Sequence, residues 1–148
     1  MTCKLNTYLA NLAVWQFKLH NLHWNVTGRM FVSLHEYTER LYDEAFEQFD
    51  AVAEVMKMRE QMPLVTTKQY LEAATIEEVE GRDFSVSETI DMIEADMKLM
   101  LELAREIRAA AAEADDFQVQ GLMEGYIEGY VKQLWFIRSM KKQSCCSH

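Results

Sequence analysis

Residues 23–54 read HWNVTGRMFVSLHEYTERLYDEAFEQFDAVAE. Within them Glu36, Glu39, Asp43, Glu47, Asp50 and Glu54 follow one another at intervals of three, four, four, three and four residues. In an α-helix that spacing places all six carboxylates on one face. Leu34, Leu41, Ala45 and Val52 fall on another arc, which can be buried. The pattern therefore predicts a long amphipathic helix from Phe31 to Arg59, about 40 Å in length. Like charges three and four residues apart cost roughly 0.2–0.5 kcal/mol per pair. An ordinary solvated face would interleave lysines, and here only Lys57 stands at the end of the stripe. Something cationic is needed to compensate, and His35 falls near the seam between the two arcs.

The chain on either side of this stretch is helical too. Leu5, Leu9, Leu12, Trp15 (or Gln16), Leu19 and Leu22 to His23 mark the buried side of a first helix over about Lys4–Asn25. Gly28 is a natural stop after it. Pro63 ends the second helix. The connector from Leu64 to Arg82 is too long to be structureless in a compact domain. Thr67-Lys-Gln-Tyr-Leu-Glu-Ala-Ala predicts a short helix packing Tyr70 and Leu71, and Thr75-Ile-Glu-Glu a capping box for a second piece ending at Gly81. Ser85-Val-Ser-Glu88 is another capping box, opening a third long helix to about Ala114 with Ile90, Ile93, Met97, Met100, Ala104 and Ile107 inward. Asp115 or Asp116 caps a last helix running to about Lys142, whose closing lysines suit the helix dipole. Gly121, Gly125 and Gly129 form a four-residue stripe on it. Each glycine costs on the order of 1 kcal/mol in a helix interior. The stripe thus implies close approach of another helix, within the bundle or from another subunit.

The predicted class is all-α: residues 1–148 as one four-helix bundle, with a short extra helix in the long crossover between its second and third long helices. Residues 143–148 are expected to form a flexible tail. Nearly half the residues are apolar and about a quarter charged, with one proline and five glycines. That composition is globular. A formal charge of −9 argues against non-specific binding to nucleic acid. No apolar run approaches the ~20 residues of a membrane helix, and the N-terminus lacks a signal-peptide pattern. Cys3, Cys145 and Cys146, odd in number and terminal, suit a reducing cytoplasm. The Asn25-Val-Thr27 sequon is accordingly read as coincidence.

Carboxylates beside histidines at a helical seam describe a site for a borderline divalent cation, iron above all. Asp50 and Glu54, one turn apart, can reach one ion. His35 lies fifteen residues before Asp50, about 22 Å along a straight helix, and cannot join them within one chain. Its angular offset is only ~60°. Two antiparallel copies of this helix about a two-fold axis, with residue i facing residue 85−i, set His35 opposite Asp50 of the partner subunit. A site shared in this way occurs twice per dimer. His23 can lean toward the same place through the Val26-Thr27-Gly28 turn. A Glu-x-x-His pair, the mark of a di-iron site inside one bundle, occurs nowhere.

His23-Trp-Asn-Val-Thr-Gly28, Phe31, His35-Glu36, Asp50 and Glu54 resemble the signature of the Dps family of mini-ferritins. Pro63-Leu64 with Lys68-Gln-Tyr-Leu-Glu is similar to that family's mid-chain helix, and Leu134-Trp-Phe-Ile-Arg138 to its ending, so the resemblance spans nearly the whole chain. It implies a ferritin-like bundle assembling as a hollow homo-dodecamer, with iron sites at the two-fold interfaces. His23 and His35 would come from one subunit, and Asp50 and Glu54 from the other. It implies a ferroxidase that oxidises Fe(II) with hydrogen peroxide or dioxygen and stores the Fe(III) mineral against oxidative damage. Glu36, Glu39, Asp43 and Glu47 would face the cavity as mineral nucleation residues. Asp115, Asp116, Glu124 and Glu128 are candidates for the acidic three-fold pores. Each of the first four is equally readable as part of a solvated acidic face, and the four pore candidates, as helix caps and surface charges, need no further explanation. Trp24, beside the site, reads as a packing aromatic, and His20 as a half-buried helix residue.

The sequence departs from the family pattern in one respect: many members bind DNA through a lysine-rich extension, and here only three residues precede the predicted first helix. The tail Lys141-Lys-Gln-Ser-Cys-Cys-Ser-His148 is only mildly basic. DNA binding is not expected. Cys145, Cys146 and His148 read as a frayed tail rather than a soft-metal site. The rivals to iron oxidation are a DNA-coating or structural oligomer and a protein that sequesters metal without redox turnover.

Overall fold

The computed structural model describes residues 1–142. The predicted tail, with Cys145, Cys146 and His148, lies outside the described residues. Four long helices, α1 (Thr2–Asn25), α2 (Phe31–Met58), α4 (Val86–Glu113) and α5 (Phe117–Lys141), form the bundle, and α3 (Thr67–Ala73) sits in the crossover. The main pairings are α1 with α2 and α4 with α5, while α1 also receives α3 and α4.

The apolar stripes legible in the sequence make the core. Leu5, Leu9, Leu12, Leu19 and Leu22 are fully enclosed, and of the two readings at the fourth position Trp15 points inward. All six inward positions of the third long helix are buried, as are Leu34, Leu41, Ala45 and Val52 on α2. Lys18 of α1 and Asp96 of α4 form an ion pair inside this core, Nζ to Oδ2 at 2.7 Å, and Oδ2 has no other polar partner among the described residues. Burial pushes the Asp96 carboxyl up, against the pull of the Lys18 ammonium.

The crossover is laced to α1 by asparagines. Asn11, fully buried, accepts from the N–H groups of Thr75 (2.6 Å) and Ile76 (3.0 Å) and donates to the Thr75 hydroxyl. Asn21 donates to the Val79 carbonyl, and Asn6 accepts from Leu64 N–H. These bonds correct one expectation. Thr75 starts no second helical piece, because Asn11 takes the hydroxyl and N–H that a capping box would use, and residues 75–81 are non-helical. The capping box in this region belongs to Thr66 and Gln69, at the head of α3. Tyr70 is half-buried, but Leu71 does not pack against the bundle as expected: it is largely exposed.

The Ser85–Glu88 capping box forms as read. Arg82 first, and the Ser85 N–H next, hold the Glu88 carboxyl down at about 2. A carboxylate depressed in the folded state stabilises above its unfolded pKa, and that contribution drains as pH falls through the folded value. Thermal melts between pH 4.5 and about 2 are therefore expected to fall more steeply for wild type than for Glu88→Gln. Parallel curves would remove Glu88 from the acid response.

Asp116, not Asp115, caps α5, accepting from Val119 N–H at 3.1 Å. Gly121, Gly125 and Gly129 lie exposed, and a Cβ added to any of them meets nothing within 4 Å. Tight packing within the bundle is thereby ruled out as their reason, because no other element among the described residues reaches them.

Candidate metal centre

The turn after α1 sets up the site. Val26 leaves the helix in an extended conformation and pairs with Phe84 in a parallel bridge. Thr27 N–H donates to the Phe84 carbonyl (2.8 Å), and Phe84 N–H to that of Asn25 (2.9 Å). Gly28 adopts φ +123°, where a Cβ would also lie 3.3 Å from the Val86 side chain. That backbone state is open to glycine and strained for other residues. The chain thus reverses within a few residues, and α2 starts back alongside the last turn of α1.

The reversal brings His23 against His35. Their rings stack, centroids 3.6 Å apart and 16° from parallel. Each Nδ1 lies within hydrogen-bonding distance of the other residue's main-chain carbonyl, His23 at 2.7 Å and His35 at 2.9 Å. A carbonyl only accepts, so in both bonds the proton is on Nδ1 and the lone pair is left on Nε2. This is the outer-shell arrangement that orients metal-binding imidazoles. Burial holds His23 below the ordinary imidazole value, with the neighbouring His35 adding to that effect against the hydrogen bond that favours charge. The neutral ring is the form a metal ion requires.

Aromatic side chains surround the pair. Phe31 stacks on His35 at 5.2 Å, and Tyr42 meets His23 edge-on at 5.3 Å. His20, half-buried, lies flat against Tyr42 at 3.8 Å, its Nδ1 tied to the Gln16 carbonyl. Burial, followed by the charges of Glu39 and Asp43, raises the Tyr42 phenol. Trp24 leans on the His20 ring, centroids 5.4 Å apart, but is 66% exposed within the subunit.

Asp50 and Glu54 are exposed on consecutive turns of α2, about 22 and 28 Å along the helix from His35. The fold therefore brings the two histidines together and leaves the carboxylate pair at the far end of α2. Among the described residues no three His, Cys, Asp or Glu side chains converge closely enough to hold an ion. Glu36, Glu39, Asp43 and Glu47 are exposed as well, on the side of α2 away from its buried arc. Glu39 stands close enough to influence both His23 and Tyr42. Of the pore candidates, Asp116 is engaged by its cap and by Arg59. Glu124 binds Arg108 at 2.9 Å and also accepts from Gln120. Asp115 and Glu128 are exposed.

Among the described residues the interior offers no metal position of the Glu-x-x-His kind. The phenols of Tyr8 and Tyr130 meet at 2.6 Å, and both reach Gln48 Oε1, at 2.7 and 2.9 Å. Burial raises both phenols. Thr38 is the site residue the sequence reading missed. Its signal was a hydroxyl on the buried arc of α2, one turn past His35.

Residues 2–143 match the family model for the ferritin-like domain. The chain is 34% identical over 135 residues to the "DNA protection during starvation protein" of Brevibacillus brevis, covering 91% of this chain and 90% of that one. The crystal structure of a Dps protein from Bacillus brevis superposes with a TM-score of 0.90 at 33% identity, over 94% of this chain and 93% of the other. A Dps protein from Vibrio cholerae, described as a member of a broad superfamily of ferritin-like diiron-carboxylate proteins, gives 0.89 at 27% identity, over 94% and 87%. The chain belongs to the Dps family of ferritin-like proteins. No helix among the described residues is long and apolar enough to cross a membrane.

Proposed function

We propose that this protein is a mini-ferritin whose ferroxidase sites are shared between subunits of a hollow homo-dodecamer. His23 and His35 of one subunit face Asp50 and Glu54 of the partner subunit. Fe(II) is the substrate and hydrogen peroxide or dioxygen the oxidant: with peroxide, two Fe(II) each give up one electron, and peroxide with two protons becomes two waters. The observation that carries this reading is the reciprocal lock between His23 and His35. It holds two Nε2 lone pairs on one subunit, while Asp50 and Glu54 of the same helix are too distant to complete the site. Imidazole accommodates Fe(II), and hard carboxylates favour Fe(III) once it forms. The likeness to a protein described as diiron-carboxylate supports the choice of metal. The acidic stripe, free of lysine until Lys57, supports storage of a cationic product.

Peroxide-driven Fe(II) oxidation by the assembled protein tests the reading. The double variant His35→Ala with Asp50→Ala is expected to oxidise iron no faster than buffer alone. A double variant as fast as wild type would show that the site lies elsewhere.

A further inference from the structure

We infer that Thr38 is a positioning residue for His23, holding its imidazole as the Nδ1–H tautomer so that the metal-binding lone pair stays on Nε2. This rests on the proposed metal site and adds to it a residue that touches neither metal nor oxidant.

Thr38 is fully buried, on the apolar arc of α2. Its Oγ1 lies 2.8 Å from the Leu34 carbonyl and 3.0 Å from that of His35. His23 Nδ1 stands 3.1 Å away on the third side. A hydroxyl has one proton, and the two carbonyls can only accept. With that proton directed to a carbonyl, Oγ1 faces His23 as an acceptor, beside the His35 carbonyl at 2.7 Å. Two oxygens thus share the Nδ1–H. If the proton moved to Nε2, the bare Nδ1 lone pair would face the His35 carbonyl at 2.7 Å, and the Thr38 proton would have to leave its own carbonyl partner to meet it. The His35 carbonyl alone fixes one direction of the ring. Thr38 adds a second contact from a rigid, β-branched side chain that packs where α1 crosses α2. His35 has one carbonyl partner for its Nδ1, that of His23, so the two ligands are held unequally.

Calorimetric titration of the assembled protein with Zn(II) separates this role from simple packing. Thr38→Val keeps the shape and removes the acceptor, and is expected to weaken the His23-dependent Zn(II) binding about tenfold, as outer-shell changes at metal-bound histidines do. Thr38→Ser keeps the hydroxyl and is expected to stay near wild type. Thermal melts recorded alongside report any loss of fold. Thr38→Val binding as tightly as wild type, while His23→Ala binds weakly, would overturn the inference and leave the site standing. His23→Ala binding as tightly as wild type would overturn the site itself. A measurement on wild type needs no variant to fold: nitrogen chemical shifts of ¹⁵N-histidine-labelled, metal-free protein are expected to show His23 protonated on Nδ1 and bare on Nε2. The reverse tautomer would overturn the inference.

Discussion

Shells assembled from equal amounts of His35→Ala and Asp50→Ala subunits are expected to oxidise Fe(II) at about a quarter of the wild-type rate, although each variant alone is inactive. The figure follows from the symmetry of a shared site. Random pairing makes half of all two-fold pairs mixed, and in each mixed pair one site receives both mutated residues and the other receives neither, leaving about a quarter of sites intact. A site contained within one chain predicts no recovery, because every subunit is then defective. The measurement is the initial rate of peroxide-driven oxidation in co-expressed shells, set against shells of either variant alone. No recovery above the single variants would sink the inter-subunit arrangement. Full activity in either single variant would instead remove that residue from the ligand set.

Removing Lys18 is expected to produce the largest loss of stability available from a single polar side chain in the core. Its ammonium and the Asp96 carboxylate face each other 2.7 Å apart, with side chains 7% and 10% exposed. Breaking such a pair from one side strands a buried charge, at a cost of about 3–5 kcal/mol. Replacing both members by apolar residues of similar size is often neutral or stabilising. Lys18→Met should therefore melt well below wild type, and Lys18→Met with Asp96→Leu should recover most of the difference at equal protein concentration, since assembly also contributes to melting. Asp96 protonates more readily than an exposed aspartate because burial raises its pKa, so the single variant's deficit should shrink toward acid pH. A double variant no better than Lys18→Met would mean that the stem of Lys18, rather than its charge, is what α1 and α4 require.

The long helices were legible because their signals are local and repeated. Leucines on one side of α1 and the isoleucine–methionine stripe of α4 recur at helical spacing, and the Ser85–Glu88 box needs only its own four residues. Thr75 was misread for the complementary reason. A capping box and a tertiary hydrogen bond draw on the same hydroxyl, and the competing partner, Asn11, lies 64 residues away. Leu71 was misassigned on similar grounds: a seven-residue helix has too few positions for its inward face to be read. The glycine stripe of α5 was visible, but only the packed subunit shows that no neighbour among the described residues approaches those positions.

For the candidate metal centre the division is sharper. The sequence alone determined that six carboxylates share a face of α2, and that His35 and Asp50 of one chain cannot meet, because helix rise and turn are set by the backbone. It supplied the residue types that suit iron. The tertiary structure decided how the histidines are presented. The φ of Gly28 and the bridge to Phe84 reverse the chain, and only then do His23 and His35 stack and exchange hydrogen bonds through each other's carbonyls. Which ring nitrogen carries the proton depends on atoms twelve to fifteen residues away in the chain, on a neighbouring helix. No periodicity encodes such a contact, since it is a property of how α1 and α2 pack.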